Sequence, residues 1–450
     1  MHIDREPKEE KRTTASPLGR SLSPANAGSL GKPTQARQWM IVFAVTLAVI
    51  TYVHRVCISQ AAPTIQRELE LSKEQMAFIF SAFTFAYAAF EIPGGWLSDW
   101  IGPRRVLTSV VMLWSLFTAV TGWAWNLASL VVFRFLFGTG QAACFPTLTK
   151  SFTLWLPPSE RVQAQGFMWL AARWGGALTP LMVVAVFALV SWRWGFVLFG
   201  SIGVVWAVFF FRWFRDNPRD YAAVDAAELA LIQSGRTDLV GHGDVPWLRF
   251  LGSRTVWMLW LQYFCLGYPW YFYITWLPTY LQEQRHVPVA EAAFLAGFPL
   301  FFGGLGCLFG GFVARRLEAS GTRVGPVRRI MASTGFFAAA VLLVLSTYLK
   351  NPWLAMIAMG ASSFANDLAM PPAWAACMDV GGKYAGSLSG SMNMMGNFGG
   401  MVGPLVLPFL LNATNNNWSL TFWVSGAVYA IGGVAWLLID PVTPLDQDEA

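Results

Sequence analysis

Twelve apolar runs take up most of the chain, each of roughly the 20 residues that a helix needs to cross the hydrocarbon core of a bilayer. They lie at about 39–63, 74–98, 104–125, 128–155, 161–190 and 194–214, then at about 254–281, 289–313, 327–348, 352–378, 383–411 and 418–439. A polar stretch at 215–253 parts the first six from the last six. Only 12% of the 450 residues are charged, against about 25% in soluble domains. That balance speaks against a water-soluble enzyme, and the composition excludes collagen-like, disordered and disulfide-rich classes. The expectation is an all-α, polytopic membrane protein with twelve transmembrane helices in two pseudo-symmetric six-helix bundles. Its parts are a disordered tail (1–38), a bundle (39–214), a central loop (215–253), a second bundle (254–440) and a short tail (441–450).

Basic residues set the expected orientation, because Lys and Arg accumulate on the cytoplasmic side. The N-terminal tail and the loops after even-numbered spans hold 23 of them, and the loops after odd-numbered spans hold 5. Both termini and the central loop are therefore expected in the cytoplasm. Residues 1–38 have no apolar core of a signal peptide, so the first span is expected to serve as its own insertion signal. The five cysteines all fall inside apolar runs with no CxxC spacing, which points to packing rather than to disulfides or a metal site. Two sequons, at Asn412 and Asn417, carry weight only in a eukaryotic secretory pathway.

Three basic residues remain inside spans, namely Arg55, Arg134 and Arg173. Charge at mid-membrane costs several kcal/mol and marks a functional pathway by default. At ~1.5 Å of rise per residue, all three come to similar depth. By the same reckoning Glu91 sits close to the inner face, and no carboxylate of the first bundle shares the arginines' level. A guanidinium without a carboxylate holds an anion well, through two parallel hydrogen bonds. Structural pairing with a neighbouring helix is the competing reading of each arginine, and for Arg173 the two stay open. Helical spacing puts Tyr52, Arg55 and Ser59 on one face of span 1, Gln141 two turns from Arg134, and Tyr87 above Glu91. In the second half, Asn366, Asp367 and Trp374 fall on span 10, Asn393 and Asn397 on span 11, and Tyr271 and Tyr273 on span 7. Neutral donors beside arginines suit a polyhydroxylated acid.

Span 5 and span 11 share a faint repeat, Arg173-Trp174-Gly175-Gly176 through Pro180 against Asn397-Phe398-Gly399-Gly400 through Pro404, as expected of a transporter built from duplicated halves. Between spans 2 and 3 the chain reads Gly95-Trp96-Leu97-Ser98-Asp99-Trp100-Ile101-Gly102-Pro103-Arg104-Arg105. This resembles the G-x-L-[AS]-D-R-x-G-R-[RK] gating loop of the major facilitator superfamily, with Trp100 and Pro103 in place of basic residues and Arg315 where the second half often carries Asp. Tyr52-Val53-His54-Arg55, Ile92-Pro93-Gly94-Gly95-Trp96 and Arg134…Gly138…Gln141…Phe145-Pro146-Thr147 are together similar to the anion:cation symporter family. That family includes bacterial galactonate, glucarate and hexuronate transporters, and sialic-acid and vesicular glutamate transporters.

The resemblance implies a substrate site at Tyr52, Arg55, Tyr87, Arg134, Trp374 and Asn393, to which the residues themselves add Gln141, Arg173 and Tyr271. Two coupling carboxylates of the galactonate-type pattern are replaced here, by His54 on span 1 and Gln141 on span 4. The expected function is secondary active transport of an organic anion, foremost a sugar acid, by proton symport with alternating access. An inside-negative potential opposes anion entry by ~2.3 kcal/mol per charge per 100 mV, so accumulation needs a co-transported cation. His54 is the favoured proton carrier, since imidazole titrates near neutrality, with Asp367 and Glu91 as alternatives. Sodium coupling, uncoupled carboxylate transport and a transporter-like nutrient sensor are the other readings. No enzyme activity, cofactor, metal or nucleic acid is expected, and the chain is read as a monomer in a bacterial inner membrane.

Overall fold

The computed structural model describes residues 33–234 and 245–445. Most of the expected N-terminal tail and the last five residues lie outside that range, as does part of the central loop. The first half comprises α1 (Gln38–Glu68), α2 (Lys73–Ile101), α3 (Pro103–Thr121), α4 (Leu127–Ala142), α5 (Cys144–Trp155), α6 (Pro158–Leu189) and α7 (Trp192–Trp213). Two short helices, α8 (Ala226–Gln233) and α9 (Trp247–Gly252), belong to the central loop. The second half runs through α10 (Arg254–Thr275), α11 (Leu277–Glu283), α12 (Val289–Leu295), α13 (Phe298–Ala319), α14 (Val324–Tyr348), α15 (Pro352–Asp367), α16 (Met370–Gly381), α17 (Ala385–Ala413) and α18 (Trp418–Leu438). Among the described residues, seven helical stretches are long and apolar enough to cross a membrane, and α6 makes an eighth across a 41° bend. The bend falls at Pro180, whose ring and missing N–H break the helical ladder there.

Spans 4 and 10 are each made of two helices, α4–α5 and α15–α16. Both break near the middle, with Pro146 in the first turn of α5 and Pro371-Pro372 in the first turn of α16. Proline is tolerated in a first turn because its missing donor would be unused there. The packing repeats between halves. In the first, α1 lies on α6, α2 on α4, and α3 on α7; in the second, α10 lies on α17, α13 on α15, and α14 on α18. The halves meet along α6 with α13 and along α2 with α17. Glycines permit those approaches, since a Cβ on Gly95 would stand 2.2 Å from the Gly386 carbonyl oxygen and one on Gly166 2.7 Å from that of Cys307.

Helices enter and leave so that the start of α1, the end of α2, the start of α6 and the end of α18 share one face, called here the terminal face. Hydrogen bonds and ion pairs that tie the halves together fall between this face and the middle. Asp99, Lys150, Arg161, Gln163, Arg173 and Glu91 take partners across the divide. On the far face, Arg193 with Glu68 and Arg285 with Leu349 stay within one half.

Candidate functional site

Arg55 projects from the middle of α1 into a collar of rings. Its guanidinium carbon lies 5.2 Å from the Tyr52 centroid, 5.2 Å from Phe83 and 4.6 Å from Tyr87. Gln141 fixes it from α4, since Arg55 Nε donates to Gln141 Oε1 at 2.9 Å while the Gln141 amide N–H donates to the Thr51 carbonyl at 3.0 Å. Arg134, one face away on α4, sits 4.9 Å from the same Phe83 ring and 4.4 Å from Phe137. Two guanidiniums thus share one aromatic ring. Among the described residues neither forms an ion pair, and Arg55 Nη2 and Arg134 Nε are buried without a hydrogen-bond partner. Unpaired buried donors of this kind carry a desolvation cost that an anion would offset.

Next to this layer, Glu91 of α2 reaches α17. Asn397 donates to Glu91 Oε1 at 2.9 Å, Asn393 donates to the same oxygen, and Glu91 Oε2 is buried and unpartnered. Asn393 also lies 3.4 Å from the Tyr87 hydroxyl, and Tyr271 of α10 donates to Asn397 Oδ1 at 3.0 Å. Tyr87, Glu91, Asn393, Asn397 and Tyr271 therefore form one strand of hydrogen bonds from the arginine layer into the second half. Glu91 lies nearer the Ile101 end of α2 than its Lys73 start, about 15 Å from the former at the usual rise.

Arg173 belongs to a different arrangement. It forms a two-pronged pair with Asp367 of α15, Nε to Oδ2 at 2.9 Å and Nη2 to Oδ1 at 3.2 Å, with the Trp270 ring 4.1 Å away. Asn366 adds a bond to Asp367 Oδ1 at 3.0 Å. Of the two readings left open for Arg173, this pair with Asp367 matches the structural one in the state seen here. Gly303 and Gly304 of α13 leave room for the junction, since a Cβ on the first would stand 2.6 Å from Asp367 Oδ2.

Three further expected residues or groups lie away from the arginine layer. His54 directly precedes Arg55 in the sequence but is turned ~100° from it on the helix. Its Nε2 lies 2.7 Å from the Phe199 carbonyl of α7, packed beside Ser115 and Gly203 rather than facing the arginine layer. Trp374 is fully buried, donates its indole N–H to the Tyr263 hydroxyl at 2.7 Å, and packs at a tilt on Trp169 and edge-on to Phe145 between the halves. In the last turns of α2, Gly95 and Asp99 touch the second half. Gly102, at φ +96°, turns the chain into α3, Arg104 binds the Phe211 carbonyl and Asp216 of its own half, and Arg105 is exposed.

The terminal face is closed by polar contacts centred on Asp99. Its carboxylate accepts from Gly386 N at 3.0 Å, Ser387 N at 2.6 Å and Ser387 Oγ at 2.7 Å, capping the start of α17 from another helix, and Lys150 Nζ stands 3.3 Å away. Lys150 also donates to the Lys383 carbonyl, and Asp379 of α16 joins Arg161 of α6 to Arg328 of α14. Beside these, Arg37 binds Glu160 at 2.9 Å and Glu228 of α8 at 3.1 Å. Burial works against the charge of Glu228, but the Arg37 backbone N–H, Thr34 and the Arg37 guanidinium outweigh it and hold the carboxyl below its usual range.

Comparison with known proteins decides the lineage. The family model of the Major Facilitator Superfamily matches residues 43–404, with a second match at 322–450. The chain belongs to the major facilitator superfamily. It is a transporter with the superfamily's twelve transmembrane helices, integral to a membrane. A probable sulfoacetate transporter of Cupriavidus necator is 34% identical over 402 residues, covering 89% of this chain and 93% of that protein. The hexuronate transporter of Bacillus subtilis is 31% identical, with 88% and 91% covered, and a D-galactonate transporter of Escherichia coli is 29% identical, with 92% and 97% covered. Among solved structures, the E. coli fucose:proton symporter superimposes with a TM-score of 0.68 at 15% identity, covering 89% of this chain and 98% of its own. Within this superfamily member, Phe83, Phe137, Lys150, Asp379 and Trp270 were missed by sequence reasoning. Phe83 carried a usable signal, lying one helical turn from Tyr87 on the same face.

Proposed function

We propose that this chain is a secondary active transporter of an organic anion, driven by proton symport through alternating access. The observation that carries the reading is the pair of guanidiniums of Arg55 and Arg134 around Phe83, each with a buried N–H that has no partner and neither in an ion pair among the described residues. Relatives named for sulfoacetate, hexuronate and galactonate support an anionic substrate. Tyr52, Tyr87 and Gln141 shape the arginine layer. Asn393 and Tyr271 act through the link to Glu91, and Trp374 supports the site from behind.

The proton carrier is Glu91. It is fully buried, lies one hydrogen-bonded step from Tyr87 and bridges the two halves, so its charge state bears on both substrate and closure. Asp367 is the second candidate, since an anion drawing Arg173 away would leave its carboxylate to take a proton. The halves 39–214 and 254–440 rock about the α6–α13 and α2–α17 seams, with the terminal face in the cytoplasm of a bacterial cell. The protein acts as a monomer in the inner membrane.

Reconstitution in proteoliposomes with an internal pH dye tests the reading. Addition of the transported anion should acidify the lumen, and Glu91→Gln should keep substrate binding while losing that acidification. Uptake with no proton movement would refute symport, and absence of uptake for every organic anion would refute the anion reading.

A further inference from the structure

Resting on that reading, we infer that the substrate is a compact dianion, with a carboxylate and a second carboxylate or a sulfonate one or two carbons apart, rather than a polyhydroxylated monoanion. Arg55 and Arg134 take its two ends.

Three observations lead there. First, the guanidinium carbons lie 5.2 and 4.9 Å from one ring centroid, so together they are no more than about 10 Å apart. At that spacing a short molecule charged at both ends meets both guanidiniums. Second, the unpartnered polar atoms beside Phe83 are donors, Arg55 Nη2 and Arg134 Nε, with the Glu91 Oε2 acceptor next to them. Carboxylate and sulfonate oxygens only accept, whereas a hydroxyl must also donate. The groups that would serve sugar hydroxyls are already occupied: Gln141 at both ends, the amide N–H groups of Asn393 and Asn397 on Glu91, and Tyr271 on Asn397. Rings of Tyr52, Phe83, Tyr87 and Phe137 supply the rest of the wall.

Third, the charges balance. Arg55 is held by a neutral amide, so both guanidiniums keep a full charge. Whenever Glu91 is ionised in the empty site, Arg55, Arg134 and Glu91 sum to +1. A monoanion neutralises that layer with no proton, while a dianion neutralises it only when Glu91 takes one. Charged or titratable groups facing Glu91 are Arg55 from α1, Tyr87 from its own helix, and Tyr263 and Tyr271 from α10, while α17 offers only Asn393 and Asn397. A dianion therefore draws a proton onto Glu91 as it binds, which couples substrate charge to proton uptake.

The test is calorimetric binding to the purified full-length protein, using sulfoacetate, malonate, acetate, methanesulfonate, D-galactonate and D-glucarate. Sulfoacetate or malonate should bind at least ten times more tightly than any monoanion and than glucarate, and its binding should take up one proton as read from buffers of different ionisation heat. Arg134→Gln should bring the preference for dianion over monoanion to about one. Gln141→Glu, which sets a carboxylate on Arg55, should reverse it. Tighter binding of galactonate or glucarate, or dianions no better than acetate, would overturn the inference even if neither variant folds, because the wild-type ranking decides it. Binding by none of the six would overturn the organic-anion reading itself.

Discussion

Replacing Asp99 by Asn tests what holds the terminal face shut. Asp99 Oδ2 accepts two short bonds from Ser387, at 2.6 and 2.7 Å, and Oδ1 accepts from Gly386 N at 3.0 Å. An amide retains one acceptor and turns an NH₂ group toward donors. Bonds to a charged acceptor contribute about 1.5–3 kcal/mol each, and the anion at the start of α17 adds about 0.3–1 kcal/mol through the helix dipole. Rotation of the amide and entry of water recover part of this, leaving a loss of about 3 kcal/mol from the closed state. At about 1.4 kcal/mol per decade, the ratio of closed to open molecules should fall ~100-fold. Hydrogen exchange reads this directly, because the Gly386 and Ser387 amides are the ones that Asp99 covers. Their protection should drop by about two decades, while amides in the α3–α7 seam stay unchanged. A drop of less than threefold would refute the idea that Asp99 holds α17 in this state.

Breaking the Arg173–Asp367 pair on one side, with Arg173→Gln, should cost about 3–5 kcal/mol by stranding a buried carboxylate. The double variant with Asp367→Asn should regain most of that loss, as thermal unfolding in detergent would reveal. His54→Gln should leave substrate-driven proton uptake intact, because His54 faces the Phe199 carbonyl and not the arginine layer; lost uptake would return His54 to the coupling path. Gly95→Leu should stop transport by keeping α2 from Gly386, measurable as binding without flux. The Arg37 strap should open in acid. Glu228 is held below its usual range, so its contribution is full above the ordinary glutamate value of about 4.3. That contribution is lost as pH falls through the lower folded value, visible as faster exchange in residues 33–40.

Span positions, the duplication and the Asp99 loop were legible because each rests on local pattern: apolar length, glycine spacing and a charged motif at a helix end. Arg55 and Arg134 stood out for the same reason, as charges where apolar residues belong. Pair identities were not legible. Nothing in span 5 says that Arg173 will meet Asp367 rather than a substrate, since 194 residues separate them and their contact depends on α13 having glycine at 303 and 304. His54 misled because adjacency in sequence means a turn of about 100° on a helix, enough to move it from the arginine layer to the α7 seam. The partners of Glu91 were hidden for the same reason as that of Arg173, since Asn393 and Asn397 lie 302 and 306 residues away in the chain.

The contacts that must break for the terminal face to open differ in kind from those that must persist. Asp99 with α17, Lys150 with the Lys383 carbonyl, Arg161 with Asp379 and Gln163 with Arg315 are polar, directional and at the edge of the seam. Water can replace each partner once the face parts, so the cost of opening stays within reach of substrate and proton binding. Deeper in, Trp174 stacks on Phe301 with centroids 5.6 Å apart, and Trp169 packs on Trp374 at 5.3 Å. Apolar contacts lack direction, so such surfaces can roll on one another without any single bond being lost. Beside these apolar contacts lie Glu91 and the Arg173–Asp367 pair, polar yet too buried for water to replace them cheaply. Only a change of charge, by a proton or by the substrate anion, can release contacts of that kind, and that is the physical reason to look for coupling there.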